Sequence, residues 1–215
     1  MLVATTAGKL FASDDEGETW RALRPPPGGA EVISLAPSPG YARDRTIFAG
    51  TARSTPDGTA SEVTLWRSTD GGERWDPWLE QRGQQVLPVA VPPTYPDDGT
   101  VFVGLGGRVR TPMSQMQEVR SGARRPIWRS VSLGGDVAAI TALATSPNYR
   151  KDSTVFAATS NGVYLSRDGG QSFRAWSEGL SPANVLAVVV SPNYAADRLV
   201  YALGLGGTVW RRRAE

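Results

Sequence analysis

The chain has 215 residues, of which 40% are hydrophobic and 20% charged, a composition typical of a globular protein with a sizeable core. It has no cysteine and no histidine, which excludes disulfides, thiolate chemistry, imidazole metal sites and Ser-His-Asp catalysis. Its formal net charge of +2 argues against a nucleic-acid partner. We therefore expect no metal and no cofactor.

The first predicted unit, residues 1–24, reads as three short strands and contains the first copy of a turn motif. The motif places Ser13, Asp15, Gly17 and Trp20 at fixed spacing. An aspartate accepts hydrogen bonds from backbone N–H groups in a tight turn, and glycine adopts the positive φ that side chains resist. The pattern predicts a structural hairpin corner. It recurs at Ser68, Asp70, Gly72, Trp75 and at Ser166, Asp168, Gly170, Phe173, with a degraded copy from Ser121 to Trp128.

A second motif alternates with the first along the chain. It ends in a tyrosine, is followed three residues later by an aspartate, and then by an apolar strand with a central aromatic residue. The tyrosines, which recur at intervals of about 50 residues, are Tyr41, Tyr95, Tyr149 and Tyr194. A residue repeated in every unit is typical of packing, whereas a catalytic residue is needed only once.

Each complete unit reads as four short strands, which we label a to d. Such units at this spacing are typical of β-propeller blades. We predict an all-β fold, a single β-propeller domain over residues 1–215, built from four-stranded antiparallel blades. Five blades fit the length, and both terminal blades are incomplete; an open piece of a longer propeller is the alternative. The approximate units are residues 1–24, 32–82, 86–135, 140–180 and 185–215.

The Ser-x-Asp-x-Gly motif resembles the Asp-box, or bacterial neuraminidase repeat, of sialidase-like, sortilin-like and photosystem II assembly factor-like propellers. The resemblance covers essentially the whole chain. It implies a propeller and a structural role for the motif, and it leaves function open. It also favours an extracytoplasmic location, although residues 1–14 lack the pattern of a signal peptide. No apolar run reaches the roughly 20 residues of a membrane span.

The two faces of a propeller differ, because a–b and c–d turns share one face and b–c turns lie on the other. The repeated motifs occupy the first face, so departures from the repeat predict recognition on the b–c face. We predict a flexible b–c insertion at residues 52–62 and a longer one at about 106–117. The second insertion and the degraded motif after it supply the candidate ligand-binding residues Arg108, Arg110, Met113, Met116, Arg120, Arg124 and Arg125. Arginine forks bind carboxylates and phosphates, and methionine adds adaptable apolar contact.

Three functional hypotheses remain. The first is a non-catalytic module that binds a protein or carbohydrate, or acts as a scaffold, with copies pairing through the open terminal blades into a homo-oligomer. The alternative is a sialidase-like glycoside hydrolase, although no Tyr–Glu catalytic pair is assignable. A further alternative is an excised or engineered propeller fragment without its own activity.

Overall fold

The computed structural model describes residues 1–5, 7–55, 61–82, 88–106, 108–118, 124–134, 137, 139–180 and 184–214. These residues form five antiparallel sheets in chain order, three with four strands and two terminal ones with three, which confirms the predicted all-β propeller of blades. Sheet 1 contains β1 (Leu2–Ala4), β2 (Leu10–Ala12) and β3 (Arg21–Leu23); sheet 2, β4 (Glu31–Pro37), β5 (Ile47–Ser54), β6 (Ser61–Ser68) and β7 (Asp76–Arg82). Sheet 3 contains β8 (Val89–Ala90), β9 (Phe102–Leu105), β10 (Arg108–Glu118) and β11 (Arg124–Ser132); sheet 4, β12 (Ile140–Thr145), β13 (Val155–Thr159), β14 (Gly162–Ser166) and β15 (Arg174–Ala175); sheet 5, β16 (Val185–Val190), β17 (Leu199–Gly204) and β18 (Val209–Arg213).

The b strands of the inner sheets 2, 3 and 4 are buried on both faces, so they read as apolar runs rather than as alternating patterns. In β13, Val155, Phe156 and Ala157 are all fully buried. Alternate side chains therefore enter two different cores, one on each side of the sheet.

Each a–b connection is a single helical turn that starts at the repeated tyrosine. These turns are α1 (Tyr41–Asp44), α2 (Tyr95–Asp98), α3 (Tyr149–Asp152) and α4 (Tyr194–Asp197). In α3, Asp152 accepts a hydrogen bond from the Ser146 hydroxyl at 2.7 Å and another from the Thr154 backbone at 3.0 Å. The aspartate thus closes the turn from both ends. None of the helices in the described ranges is long and apolar enough to cross a membrane.

Successive sheets pack face to face. We call the face that packs against the next sheet in the chain the leading face, and the opposite one the trailing face. Between sheets 4 and 5, for example, Phe156 and Leu165 of the leading face pack with Tyr194 and Val200 of the trailing face. Four such cores join the five sheets.

The sheets form a chain of neighbours in which the innermost strands β4, β8, β12 and β16 contact one another in turn. Strand β1 of sheet 1 contacts β4. Within the described residues, the strands of sheet 1 make no extended contact with those of sheet 5. The leading face of sheet 5 and the trailing face of sheet 1 are therefore left open.

The prediction of a long b–c loop at residues 106–117 is wrong. Arg108–Glu118 is strand β10, which pairs with both β9 and β11, so residues 108–117 do not form a b–c loop. The extra length belongs to the paired strands β10 and β11, which extend towards the c–d side of the sheet. Residues 108–110 alternate in polarity as a strand does, but the segment that follows contains Pro112 and several polar residues, which are typical of a loop, and this explains the error. In the first insertion, Arg53 and Glu62 also belong to paired strands, β5 and β6.

Candidate ligand-binding site

A cavity of about 620 Å³ opens on sheet 2, at the end where its b–c turn lies and beside the segment that leads from sheet 1 to sheet 2. Its floor and walls come from the trailing face of sheet 2, and the segment that joins the two sheets, including Pro27 and Ala30, lines the other side. Strand β3 of sheet 1 is only three residues long. Sheet 1 therefore leaves the end of the neighbouring strands β5, β6 and β7 uncovered.

Trp66 on β6 forms an aromatic wall of this cavity. Its indole Nε1 donates a hydrogen bond to Oγ1 of Thr51 on β5 at 2.9 Å. Thr51 is buried, so the bond satisfies the polar end of the indole inside the protein and fixes the ring. The remaining apolar surface of a half-buried indole is then available at the cavity.

Three charged side chains lie at the rim. Arg53 donates through Nε and Nη2 to Oε2 of Glu62, at 2.9 and 2.6 Å, and Nε of Arg82 lies 3.2 Å from Oε1. The three residues are directly opposite one another on β5, β6 and β7, so strand register brings them together. The hydrogen bond from Arg53 lowers the pKa of Glu62, against the effect of burial, and the charges of both arginines lower it further.

This rim offers many hydrogen-bond donors. A guanidinium carries five N–H groups, so two arginines together have more donors than one carboxylate accepts. The ionised carboxylate accepts from the Arg53 fork and attracts Arg82, and both arginine side chains remain largely exposed to a ligand. The cavity therefore combines a fixed aromatic surface with oriented charged donors and acceptors.

One of the residues predicted for ligand binding, Arg110 on sheet 3, contacts a residue that lines this cavity. Arg110 donates through Nη2 to Oε1 of Gln81, which lines the cavity, at 3.2 Å. Burial lowers the pKa of Arg110, and the neighbouring charge of Arg108 adds to the effect. Nε of Arg110 is buried and has no hydrogen-bond partner among the described residues. Arg108 is exposed at the start of β10.

The other predicted residues are not brought to the cavity by anything that the structure describes. Met113 and Met116 belong to β10, and Arg124 and Arg125 to β11, but their side chains lie outside the described part of the chain. Arg120 lies outside the described residues altogether. For these five residues, ligand binding stays a prediction.

The Ser-x-Asp-x-Gly motifs form what we call Ser-Asp corners, at the c–d turns. The Ser166 hydroxyl donates to Asp168 at 2.7 Å and accepts from the Gly170 backbone at 2.8 Å. Asp168 also accepts from the backbones of Gln171 and Ser172, at 2.9 and 3.0 Å. Burial alone raises the pKa of Asp168, but hydrogen bonds from Ser172, Ser166 and Gln171 outweigh it and lower the pKa to about 2.

The other two corners repeat this arrangement. Ser13 donates to Asp15 at 2.8 Å, and Ser68 donates to Asp70 at 2.9 Å. Hydrogen bonds from the hydroxyl and backbone of Thr19 lower the pKa of Asp15 to about 2. These carboxylates are thus engaged within their own turns. Within the described ranges, no group of three acidic side chains is placed to hold a metal ion.

Sequence reasoning missed the central residues of the cavity. Trp66 lies two residues before Ser68, as Phe11 and Tyr164 do before the other motif serines, and a repeated position predicts packing rather than binding. Arg53 and Glu62 fall in the predicted flexible insertion. The usable signal was the pairing of opposite charges across a predicted hairpin, which stabilises adjacent strands rather than a loop.

No protein-family model matches the sequence, and no curated protein matches it. Solved structures do match the chain. An ancestral GH74 enzyme aligns over 98% of this chain and 29% of its own, with a TM-score of 0.62 and 17% identity. The extracellular domain of a one-component system from B. thetaiotaomicron aligns over 100% of this chain and 26% of its own, with a TM-score of 0.61 and 13% identity.

A glucose dehydrogenase aligns over 98% of this chain and 82% of its own, with a TM-score of 0.55 and 12% identity. The chain thus spans less than a third of the length of the first two proteins. At these identities the likeness establishes the propeller fold and leaves activity open.

Proposed function

We propose that this chain is a non-catalytic propeller module that binds a carbohydrate in the Trp66 cavity. The observation that carries the proposal is the fixed indole of Trp66 beside the Arg53–Glu62–Arg82 cluster. A sugar ring has an apolar C–H face that packs on an aromatic ring and a rim of hydroxyls that bond to charged donors and acceptors. A cavity of about 620 Å³ is in the range of small-ligand sites.

A concave cavity supports a small ligand better than a protein surface as partner. Protein partners bury about 800 Å² on each side of an interface, and their contact surfaces are broad. The described cavity is instead a concave site lined by sheet 2 and by the segment that leads into it from sheet 1. A protein ligand would have to insert a side chain or a loop, and the carbohydrate is therefore the partner that we propose.

The charge state of Glu62 supports binding rather than glycoside hydrolysis. A glycoside hydrolase needs one carboxyl group with a raised pKa, so that it holds a proton for the leaving group. The contacts with Arg53 and Arg82 lower the pKa of Glu62 instead. Glu80 also lines the cavity, but no tyrosine is among its described lining residues, as a sialidase-type nucleophile would require.

The Ser-Asp corners support placing the chain among Asp-box propellers. Their shared hydrogen bonds explain why serine, aspartate and glycine recur at fixed spacing. The structural neighbours include one described as a GH74 enzyme and one described as an extracellular domain of a one-component system. A recognition role is compatible with the descriptions of both neighbours. The proposal that the ligand is a carbohydrate rests on the cavity and not on these neighbours.

A carbohydrate array tests the proposal. The wild-type chain should retain a subset of glycans, and Arg53→Ala should lose them, because the change removes the fork that Glu62 orients. Arg174 is an exposed arginine on β15 of sheet 4, whereas the cavity lies on sheet 2. Arg174→Ala is therefore the matched control and should bind glycans as the wild type does. Absence of binding to every glycan would refute the proposal, as expected for a fragment without activity. Release of free sugar from a bound glycan would show a hydrolase.

A further inference from the structure

Two sheet faces at opposite ends of the propeller are apolar and uncovered. On the leading face of sheet 5, Val189 is 59% exposed and Val209 65% exposed. On the trailing side of sheet 1, Val3 is 40% exposed and Trp20 is 41% exposed. Equivalent faces elsewhere in the chain are packed against a neighbouring sheet, so these two faces lack the contacts that the other sheets have.

The junction between sheets 1 and 2 shows how such faces fit together. The Ser-Asp corner of sheet 2 lies against the end of sheet 1: a Cβ on Gly72 would lie 3.1 Å from Leu23. Glu73 pairs with Arg24 at 3.7 Å, and the indole of Trp75 donates to the Arg24 carbonyl at 2.9 Å. The corner of sheet 2 thus presents an acidic residue and an aromatic residue to the preceding sheet.

The corner of sheet 1 carries the same two residues without a preceding sheet. Glu18 and Trp20 stand five and seven positions after Ser13, as Glu73 and Trp75 stand after Ser68. Both Glu18 and Trp20 are exposed. The corner also carries the exposed acidic residues Asp14 and Glu16, which line a cavity with Pro37 and Tyr41 on the side of sheet 2, so Glu18 supplies the negative charge on the trailing side.

The leading face of sheet 5 has the complementary charge. Arg211 and Arg213 are exposed on β18, and the strand runs towards the side where c–d corners lie. Arg211 pairs with Tyr201, just as Arg67 pairs with Phe48 in sheet 2, so Arg211 shares the leading face with Val209. Basic and apolar groups therefore face in the direction from which a following sheet would approach.

We propose that the leading face of sheet 5 binds the trailing face of sheet 1 of a second copy of this chain. The contact is head to tail, because the two surfaces differ, and repetition of it gives a ring or a filament. In this contact Trp20 and Val3 cover Val209 and Val189, and the acidic corner approaches Arg211 and Arg213. Carbohydrate binding at the Trp66 cavity is not required for it.

Two variants test the proposal by blocking one surface each. Val209→Lys places a charge on sheet 5, and Val3→Lys places one on sheet 1. By sedimentation, the wild type should form species larger than a monomer as concentration rises, and each variant alone should stop at a monomer. A mixture of the two variants should form a one-to-one dimer, because each supplies the surface that the other lacks. Ala175→Lys, on the exposed edge of sheet 4, should assemble as the wild type does.

A charge exchange provides a second measurement if either lysine variant unfolds. Glu18→Arg and Arg211→Glu should each weaken assembly about fivefold, and combining both changes in one chain should restore it. A monomeric wild type at all concentrations would contradict the proposal, including the case in which one chain closes its own ring. Dimers of either lysine variant alone would also contradict it, because they would require a symmetric contact.

Discussion

The ring of Phe156 packs edge-on against the ring of Tyr194, with centroids 6.1 Å apart and an interplanar angle of 84°. Phe156 belongs to strand b of sheet 4, and Tyr194 to the helical turn of sheet 5. The same pairing joins Phe48 to Tyr95 at 5.2 Å and Phe102 to Tyr149 at 5.8 Å. The two aromatic positions that repeat in the sequence are thus the two halves of one contact between consecutive sheets.

Removal of this contact should destabilise the protein strongly. Phe156 is fully buried, so Phe156→Ala leaves a cavity and should cost about 3–5 kcal/mol in the free energy of unfolding. Tyr201 is the matched control, since it holds the equivalent place in sheet 5 with no following sheet. In dilute solution, Tyr201→Ala should cost less than about 1.5 kcal/mol by urea denaturation. Equal costs for the two variants would show that the contact between sheets is not what stabilises this position.

Gly170 should be intolerant of a side chain for two reasons. Its φ is +78°, and a Cβ would lie 2.7 Å from the ring of Phe102 in the preceding sheet. Gly179 has a φ of +80° and no atom near its Cβ position. Gly179→Ala should therefore cost about 1–2 kcal/mol from backbone strain alone, and Gly170→Ala about 1–3 kcal/mol more. Thermal unfolding of the two variants would measure the difference, and equal losses would argue against close packing at the corner.

The Ser-Asp corners should make stability depend on acidic pH. The pKa of Asp168 is lowered in the fold from 3.8 to about 2, so its contribution is complete above about pH 4 and is lost as the pH falls towards 2. Asp168→Asn should remove this part of the pH dependence, as followed by urea unfolding at a series of pH values. Asp14→Asn changes an exposed carboxylate outside those hydrogen bonds and is the charge-matched control. An unchanged acid profile in the Asp168 variant would contradict the assignment.

Tyr149 should affect stability at alkaline pH. Burial raises its pKa to about 12 from 10.0, and the charge of Asp98 adds to the shift. A raised pKa stabilises the fold below the unfolded value, and this contribution disappears as the pH rises from about 10 through 12. Tyr149→Phe should abolish that component, with Tyr201→Phe as the matched removal of a hydroxyl. A tyrosinate absorbance titration that places Tyr149 near 10 would disagree with the structure.

Much of the fold was predictable because the repeated residues make local contacts. The corner at Ser166, Asp168 and Gly170 is fixed by hydrogen bonds within five residues, so its sequence pattern alone identifies the turn. The apolar b strands are similarly local in sequence. The extent of β10 was not predictable in this way, since an alternating polar segment forms either a strand or an exposed loop until its pairing is known.

The candidate site depends on contacts that a repeat does not reveal. Trp66 occupies a position that is packed in sheet 4, where Tyr164 borders a core. At sheet 2 the corresponding surface is open because strand β3 is short. Register then brings Arg53, Glu62 and Arg82 together at its rim. The site exists because strand β3 of the neighbouring sheet is short. The effect of that short strand on sheet 2 is visible only in the three-dimensional structure.

The most direct test of the binding site is a calorimetric titration of the chain with the glycan that it retains best on an array. For Trp66→Leu, we expect the dissociation constant to rise at least about tenfold, because the change removes the aromatic wall of the cavity. Leucine keeps an apolar side chain at the same position. Far-UV circular dichroism and thermal unfolding should match the wild type. An unchanged dissociation constant in this folded variant would contradict carbohydrate binding at the Trp66 cavity.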